Sequence, residues 1–186
     1  PSGVAVLRLG SSDEKVVTLT ERRIESLRAH LEALKSSPPK GLVILATAPD
    51  MFTVGADVNV IRSVTDPKQG AELARRGQRV FDLLEELPFM TVAAISGPCV
   101  GGGCELVLAC KCRLISDHKS SQIGLPETKL GILPGFGGTQ RLPRLVGLPR
   151  ALDIILAGKT LHPEQALKAG LVDRVVSYDD LRDRAE

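Results

Sequence analysis

Aromatic residues are scarce, with four Phe, one Tyr and no Trp in 186 residues. Side chains that stack on bases are therefore few, and a nucleic-acid platform is a poor fit. No block of one charge stands out either. The 24 Lys and Arg and 22 Asp and Glu are intermixed and leave a net charge of +2, so a basic binding stripe is missing. No apolar run reaches the roughly 18 residues that a membrane-spanning helix needs. The first residues lack the charged segment and apolar core of a secretory signal. The chain opens on Pro1 rather than Met, so its start reads as processed or cut. Cysteines are few and crowded: Cys99, Cys104, Cys110 and Cys112. A disulfide framework would spread them, and a zinc site would pair them as C-x₂-C with a histidine at ligand spacing. Small buried thiols in a reducing compartment are expected instead, with no metal site. His30, His118 and His162 read as surface or solvated loop residues.

What is present is apolar periodicity. Apolar residues make up 43% of the chain, enough for one domain with a core of its own. Residues 4–9 alternate as a strand. Thr20 can cap a helix to about Lys35, with Ile24, Leu27, Leu31 and Leu34 at helical spacing. Pro38-Pro39 ends it, and GLVILAT (41–47) suits a strand buried on both faces. The loop APDMFTVGAD follows, then a long helix over 67–87, a strand at 91–97 and the segment PCVGGG, which leads into the helix CELVLAC. A strand at 113–116, short helices at 139–147 and 149–157, another opened by Pro163, and a strand at 171–176 complete the pattern. The last residues, DDLRDRAE, are polar and look like the start of a helix. Strands alternating with helices indicate an α/β fold with mostly parallel pairing.

Three stretches carry chemistry. In AAISGPCVGGGCELVLAC a buried strand delivers the chain to glycines that open a helix. First-turn N–H groups lack internal partners, and glycine lets a ligand approach them. Such donors can hold a developing oxyanion, each worth about 3–4 kcal/mol of transition-state stabilisation. Close helix–strand packing is the alternative use of those glycines. Neither Gly-Lys-Ser/Thr nor GxGxxG is present, so a phosphate loop is disfavoured. Glu105 stands in this apolar helix, where desolvation should raise its pKa toward the range useful for proton transfer. Alone, it could also be a carboxylate on the helix's one wet face, the weaker of the two readings. In IGLPETKLGILPGFGGTQRLPRLVG, Glu127 follows a proline and precedes two glycine-rich turns. Alone it would pass for a solvated loop acid. As the second of a pair it can share a water with Glu105, one accepting a proton while the other donates one. In MFTVGADV, Phe52, Val54, Gly55, Asp57 and Val58 are expected to contact substrate. Ala56 lies beyond a strand's carboxyl end and is a candidate second oxyanion donor. Arg141, Arg144 and Arg150 are read as facing solvent rather than phosphates.

Together, GADVN, GGGCEL, GLPETKLGILPGFGGTQRLPRLVG and AGKTLHPEQALKAGLVDRVV resemble the crotonase (enoyl-CoA hydratase/isomerase) superfamily, in order and over nearly the whole chain. The wording GLPETKLGILPGFGG, the Asn59 of GADVN and the 22-residue step from Glu105 to Glu127 lean toward the hydratase domain of multifunctional fatty-acid β-oxidation α subunits. The resemblance implies a spiral of ββα units, with C-terminal helices missing or truncated, and a single domain cut from a longer chain. It implies a trans-2-enoyl-CoA substrate whose thioester oxygen is bound by the N–H groups of Ala56 and Gly102. Glu105 would assist attack of water on C3, Glu127 would deliver a proton to C2, and the Gly135 N–H would help orient the water. Δ3,Δ2-Enoyl-CoA isomerase activity would be a second reaction. No cofactor is implied, CoA being part of the substrate. Partners would be copies of the chain, as a trimer if further C-terminal helices exist, or a β-oxidation complex. The location would be the bacterial cytoplasm, or mitochondria or peroxisomes in a eukaryote. Val17 departs from the Asn of many relatives in a segment near CoA. Another acyl-CoA reaction of the superfamily, or a catalytically silent assembly domain, stays open as an alternative. Retention of both acids weighs against each.

Overall fold

The computed structural model describes residues 3–48 and 50–186. The side chain of Asn59 lies outside the described part. Five parallel strands form the main sheet, in the order β1 (Val4–Leu9), β2 (Gly41–Ala46), β3 (Met90–Ile95), β5 (Cys112–Ser116) and β8 (Arg174–Val176). Each strand adds to the same edge, so the chain advances as a spiral. Between β3 and β5 it leaves for a second, smaller sheet. There β4 (Pro98–Val100) pairs in parallel with β6 (Gln122–Gly124), and β6 pairs antiparallel with β7 (Thr160–Leu161).

Helix α1 (Glu21–Ser36) starts where Thr20 Oγ1 accepts the Arg23 N–H at 3.3 Å, and it buries Ile24, Leu27 and Leu31. All six residues of β2 are buried. Leu42 and Ile44 join the main core, whereas Val43 and Leu45 join a smaller core on the sheet's other face. That second face is closed by Leu181 and Ala185 of the last helix, α8 (Leu181–Ala185). The unbroken apolar run of β2 is thus a strand covered on both sides.

The long helix α3 (Pro67–Glu85) has Pro67 in its first turn and Asp66 as cap, with Asp66 Oδ1 accepting the Lys68 N–H at 3.0 Å. A short helix, α2 (Val58–Ser63), precedes it where the sequence carries no clear signal. Helix α4 (Gly102–Leu108) begins two residues earlier than its apolar pattern suggests. A 3₁₀ turn (Glu127–Leu130) leads on to α5 (Gly138–Val146), α6 (Leu148–Leu156) and α7 (Pro163–Ala169). The strand expected at 171–176 is only Arg174–Val176. Leu171 and Val172 instead pack into the core, the Leu171 N–H turning back to the Ala166 carbonyl at 2.9 Å.

Candidate active site

Two glycine-bearing segments meet at the carboxyl ends of β2 and β4. Residues 52–56 are strapped on both sides. Val54 N–H and Thr53 Oγ1 donate to the Val17 carbonyl at 3.0 and 2.9 Å, and Leu19 N–H donates to the Gly55 carbonyl at 2.8 Å. On the other side Val100 N–H donates to the Thr53 carbonyl at 3.2 Å. This strap presses the loop against the start of α4. A Cβ on Gly103 would lie 2.2 Å from the Thr53 oxygen, and one on Gly55, whose φ is +87°, would lie 2.6 Å from Gly102 N. Only glycine fits either place. Gly55 is thereby held against Gly102, Ala56 and Gly102 line the same cleft, and neither N–H donates to another described residue.

Glu105 is 2% exposed. Its Oε1 accepts the N–H groups of Phe136 and Gly138 at 2.7 and 2.8 Å. No described residue donates to its Oε2. Burial pushes its pKa up to about 7. The Gly138 N–H opposes the rise, the Glu127 charge adds to it, and the Phe136 N–H and Arg141 oppose it. Glu127 opens the 3₁₀ turn and is also buried. Its Oε2 has no partner among the described residues, Gly101 leaves room beside its Oε1, and burial raises its pKa. Both residues line one cleft of about 530 Å³, within the usual span of small-molecule sites. Apolar side chains of α2, of α3 and of the link between them form much of its wall, among them Val60, Ile61, Val64 and Leu73.

The cleft brings together Glu105, Glu127, Ala56, Gly102, Gly135, Val54, Asp57 and Val58. Two expected contacts are elsewhere. Phe52 is fully buried in the main core, where it anchors the loop from behind. Gly55 lies against Gly102 and shapes the cleft without lining it. The second glycine turn also differs in detail. Gly135 lines the cleft, but the N–H groups that reach a carboxylate belong to Phe136 and Gly138, and they hold Glu105. Val17 is fully buried and fixes the loop through its carbonyl.

Arg141 does not face solvent. Its side chain is 9% exposed, pairs with Asp82 and Glu85 of α3, and donates to the Phe136 carbonyl at 3.1 Å. Arg144 and Arg150 are exposed. His118 is half-buried, with its Nδ1 2.8 Å from Ser120 Oγ and its ring against Tyr178. His30 and His162 are exposed. Sequence reasoning missed the part α3 plays. Gln78 Nε2 donates to the Gly135 carbonyl at 2.7 Å. Gly77 makes room for the Phe136 ring, which a Cβ there would meet at 2.4 Å. A glycine inside an otherwise strong helix was the available signal.

The four cysteines are free, and burial raises the thiol pKa of Cys99, Cys104 and Cys110. Among the described residues no group of His, Cys, Asp and Glu is placed to hold a metal ion. No helix among them is long and apolar enough to cross a membrane.

The sequence model of one family, enoyl-CoA hydratase/isomerase, matches residues 1–186. The chain belongs to that family. A fatty acid oxidation complex subunit alpha of Aliivibrio fischeri is 48% identical over 177 residues, which are 94% of this chain and 26% of that protein. The chain thus spans about a quarter of the length of the curated relatives it matches. Among solved structures, an enoyl-CoA hydratase of Bacillus anthracis superposes with a TM-score of 0.90 at 32% identity, covering 98% of this chain and 70% of that one. Human mitochondrial Δ3,Δ2-enoyl-CoA isomerase gives 0.90 at 29% identity, over 99% and 70%. The spiral described above is therefore the enoyl-CoA hydratase/isomerase fold.

Proposed function

We propose that this chain adds water to trans-2-enoyl-CoA thioesters, giving 3-hydroxyacyl-CoA in fatty-acid β-oxidation. The observation that carries the reading is the second buried acid. Glu105, tied at one oxygen and raised to about 7, shares its cleft with Glu127, beside the N–H groups of Ala56 and Gly102.

Like charges in one desolvated site disfavour double ionisation, so the pair tends to hold one proton. In the proposed reaction a water lies between the two carboxyl groups. Glu105, as carboxylate, accepts a proton from the water as its oxygen bonds to C3. The π electrons move toward the thioester carbonyl, whose oxygen gains negative charge. The Ala56 and Gly102 N–H groups stabilise that charge in a site poor in water. Protonated Glu127 then gives its proton to C2. The proton gained by Glu105 and the one lost by Glu127 balance, and exchange after product leaves restores the starting state. Addition to a conjugated thioester transfers no electrons to a carrier, so the proposal includes no cofactor beyond the CoA of the substrate.

The likeness to a Δ3,Δ2-enoyl-CoA isomerase favours a second activity. A group at Glu127's place that gives a proton to C2 in hydration could equally take one from C2 of a 3-enoyl-CoA, and delivery of that proton to C4 would give the 2-enoyl isomer. The relatives named as subunits of a fatty acid oxidation complex suggest such a complex as the setting.

The test follows loss of the conjugated enoyl absorbance with crotonyl-CoA and with a longer enoyl-CoA. Hydration is expected from the natural protein, with kcat lowered about 10²–10⁴-fold in Glu105→Gln and in Glu127→Gln. No turnover of either substrate, or full rate in both variants, would sink the proposal. Conversion of a 3-enoyl-CoA to its 2-enoyl isomer reads the second activity separately.

A further inference from the structure

Glu105 is held by a turn, and the turn is itself held. Its two N–H donors, on Phe136 and Gly138, flank Gly137, which adopts a φ of +109°. The turn is tied at both ends, since the Gly137 carbonyl accepts the Gln140 and Arg141 N–H groups at 2.9 Å each and Gln78 Nε2 donates to the Gly135 carbonyl at 2.7 Å, which leaves the Phe136 carbonyl between them. Arg141, in the first turns of α5, folds back over it. Its Nη1 donates to the Phe136 carbonyl at 3.1 Å, its Nε donates to Glu85 Oε2 at 2.7 Å, and its Nη2 pairs with Asp82. A Cβ on Gly137 would come within 2.2 Å of the same Nη1, so the guanidinium occupies the space a side chain would take. The planar fork reaches three spread acceptors from three different nitrogens, whereas a lysine would have to reach them from one. Most of the arginine side chain is shielded from water, whereas Asp82 and Glu85 are more than half exposed, so the hold rests on the direction of the fork's bonds more than on the strength of the ion pairs.

We propose that Arg141, anchored by Asp82 and Glu85, is a positioning residue for Glu105. It locks the Phe136 peptide so that the N–H groups of residues 136 and 138 stay aimed at Oε1, leaving Oε2 for the cleft. The inference rests on the reading of Glu105 as the group that takes a proton from water. Two further properties agree with it. The charged groups that bear on Glu105 are Glu127 from the 3₁₀ turn and Arg141 from α5, and Arg141 acts to keep Glu105 ionised while Glu127 acts against it. Cys104, its neighbour on α4, carries a thiol whose pKa is raised, so it stays neutral. Arg141 thus acts on Glu105 in two separable ways, by its charge and by its hold on the turn.

The experiment compares Arg141→Met, Arg141→Lys and Asp82→Asn in the natural protein. It reads kcat and KM against pH, and separately the titration of the Glu105 carboxyl by NMR of ¹³C-labelled glutamate, assigned with Glu105→Gln. In Arg141→Met the Glu105 titration and the acid limb of kcat are expected to move up, since the lost charge favoured the carboxylate. There kcat at its plateau should fall about tenfold or more, with KM changed much less. Arg141→Lys should keep the titration near its parent value while kcat falls, separating charge from hold. Asp82→Asn leaves the arginine charge in place and should lower kcat without raising the titration, which keeps the test open if Arg141→Met does not fold. Parent kcat in both Arg141→Lys and Asp82→Asn, or a Glu105 titration unmoved in a folded Arg141→Met, overturns the inference. Absence of hydration by the parent would instead strike the proposed function, and the NMR titration distinguishes the two failures.

Discussion

Burial gives Glu105 its chemistry and also sets a cost. Its carboxyl rises from the ordinary 4.5 to about 7 in the folded chain. Between those values the folded state holds more protons than the unfolded one, so stability falls as pH rises through the window. The favourable contribution is complete below the unfolded value and is gone once pH passes about 7. Above that, keeping the charge buried costs up to about 3 kcal/mol. Glu105→Gln keeps an oxygen that can accept the Phe136 and Gly138 N–H groups and carries no charge. It is expected to be more stable than the parent at pH 8, with the difference shrinking toward pH 5, while losing activity. Urea unfolding at both values checks this, and a variant less stable than the parent at pH 8 would count against a buried, ionisable Glu105. At this scale the sequence was only half legible. A glutamate followed by Leu106, Val107 and Leu108 announced desolvation. Its partners, 31 and 33 residues away, could not be seen, because a backbone N–H leaves no mark in the side-chain pattern.

The elements that build the site work by close approach. The loop after β2 and the start of α4 approach so closely at Gly55 and Gly103 that neither position has room for a Cβ. Gly55→Ala would strain a backbone at φ +87° and drive a methyl toward Gly102 N. Separation of the two N–H donors should lower kcat by about 10²-fold or more. Gly135→Ala is the contrast, since the nearest atom to its new methyl is Ala74 Cβ at 3.8 Å. That variant should keep the fold and most of kcat, with any loss appearing in KM. Steady-state kinetics of the two decide the matter, and equal damage from both would refute the close-approach account of Gly55. Long periodic elements such as α1 and β2 were readable, since a stripe or run of apolar residues has one burial that satisfies it. Strands β4, β6 and β7 were not, being two or three residues long and too short to alternate. Phe52 misled for a related reason, because a rare aromatic beside a glycine loop reads as a ligand contact although its ring supports the loop from the core.

Across the whole molecule, the spiral brings distant segments to one cleft. The main sheet supplies the loop after β2, the small sheet supplies β4 and the start of α4, and α3 closes over the turn before α5. Alternation of strands with helices was enough to read an α/β chain with parallel pairing. Which crossing helix would clamp which loop depended on side chains such as Gln78 and Arg141, whose roles exist only once the turns are stacked. The claim on which the function rests is that Glu105 and Glu127 act as one unit on one water. Its most direct measurement is kcat for crotonyl-CoA hydration in Glu105→Gln, Glu127→Gln and the double variant. Groups that work together lose their function together, so the double variant is predicted to be about as slow as the slower single one. A loss in the double variant equal to the product of the two single losses would contradict a shared water.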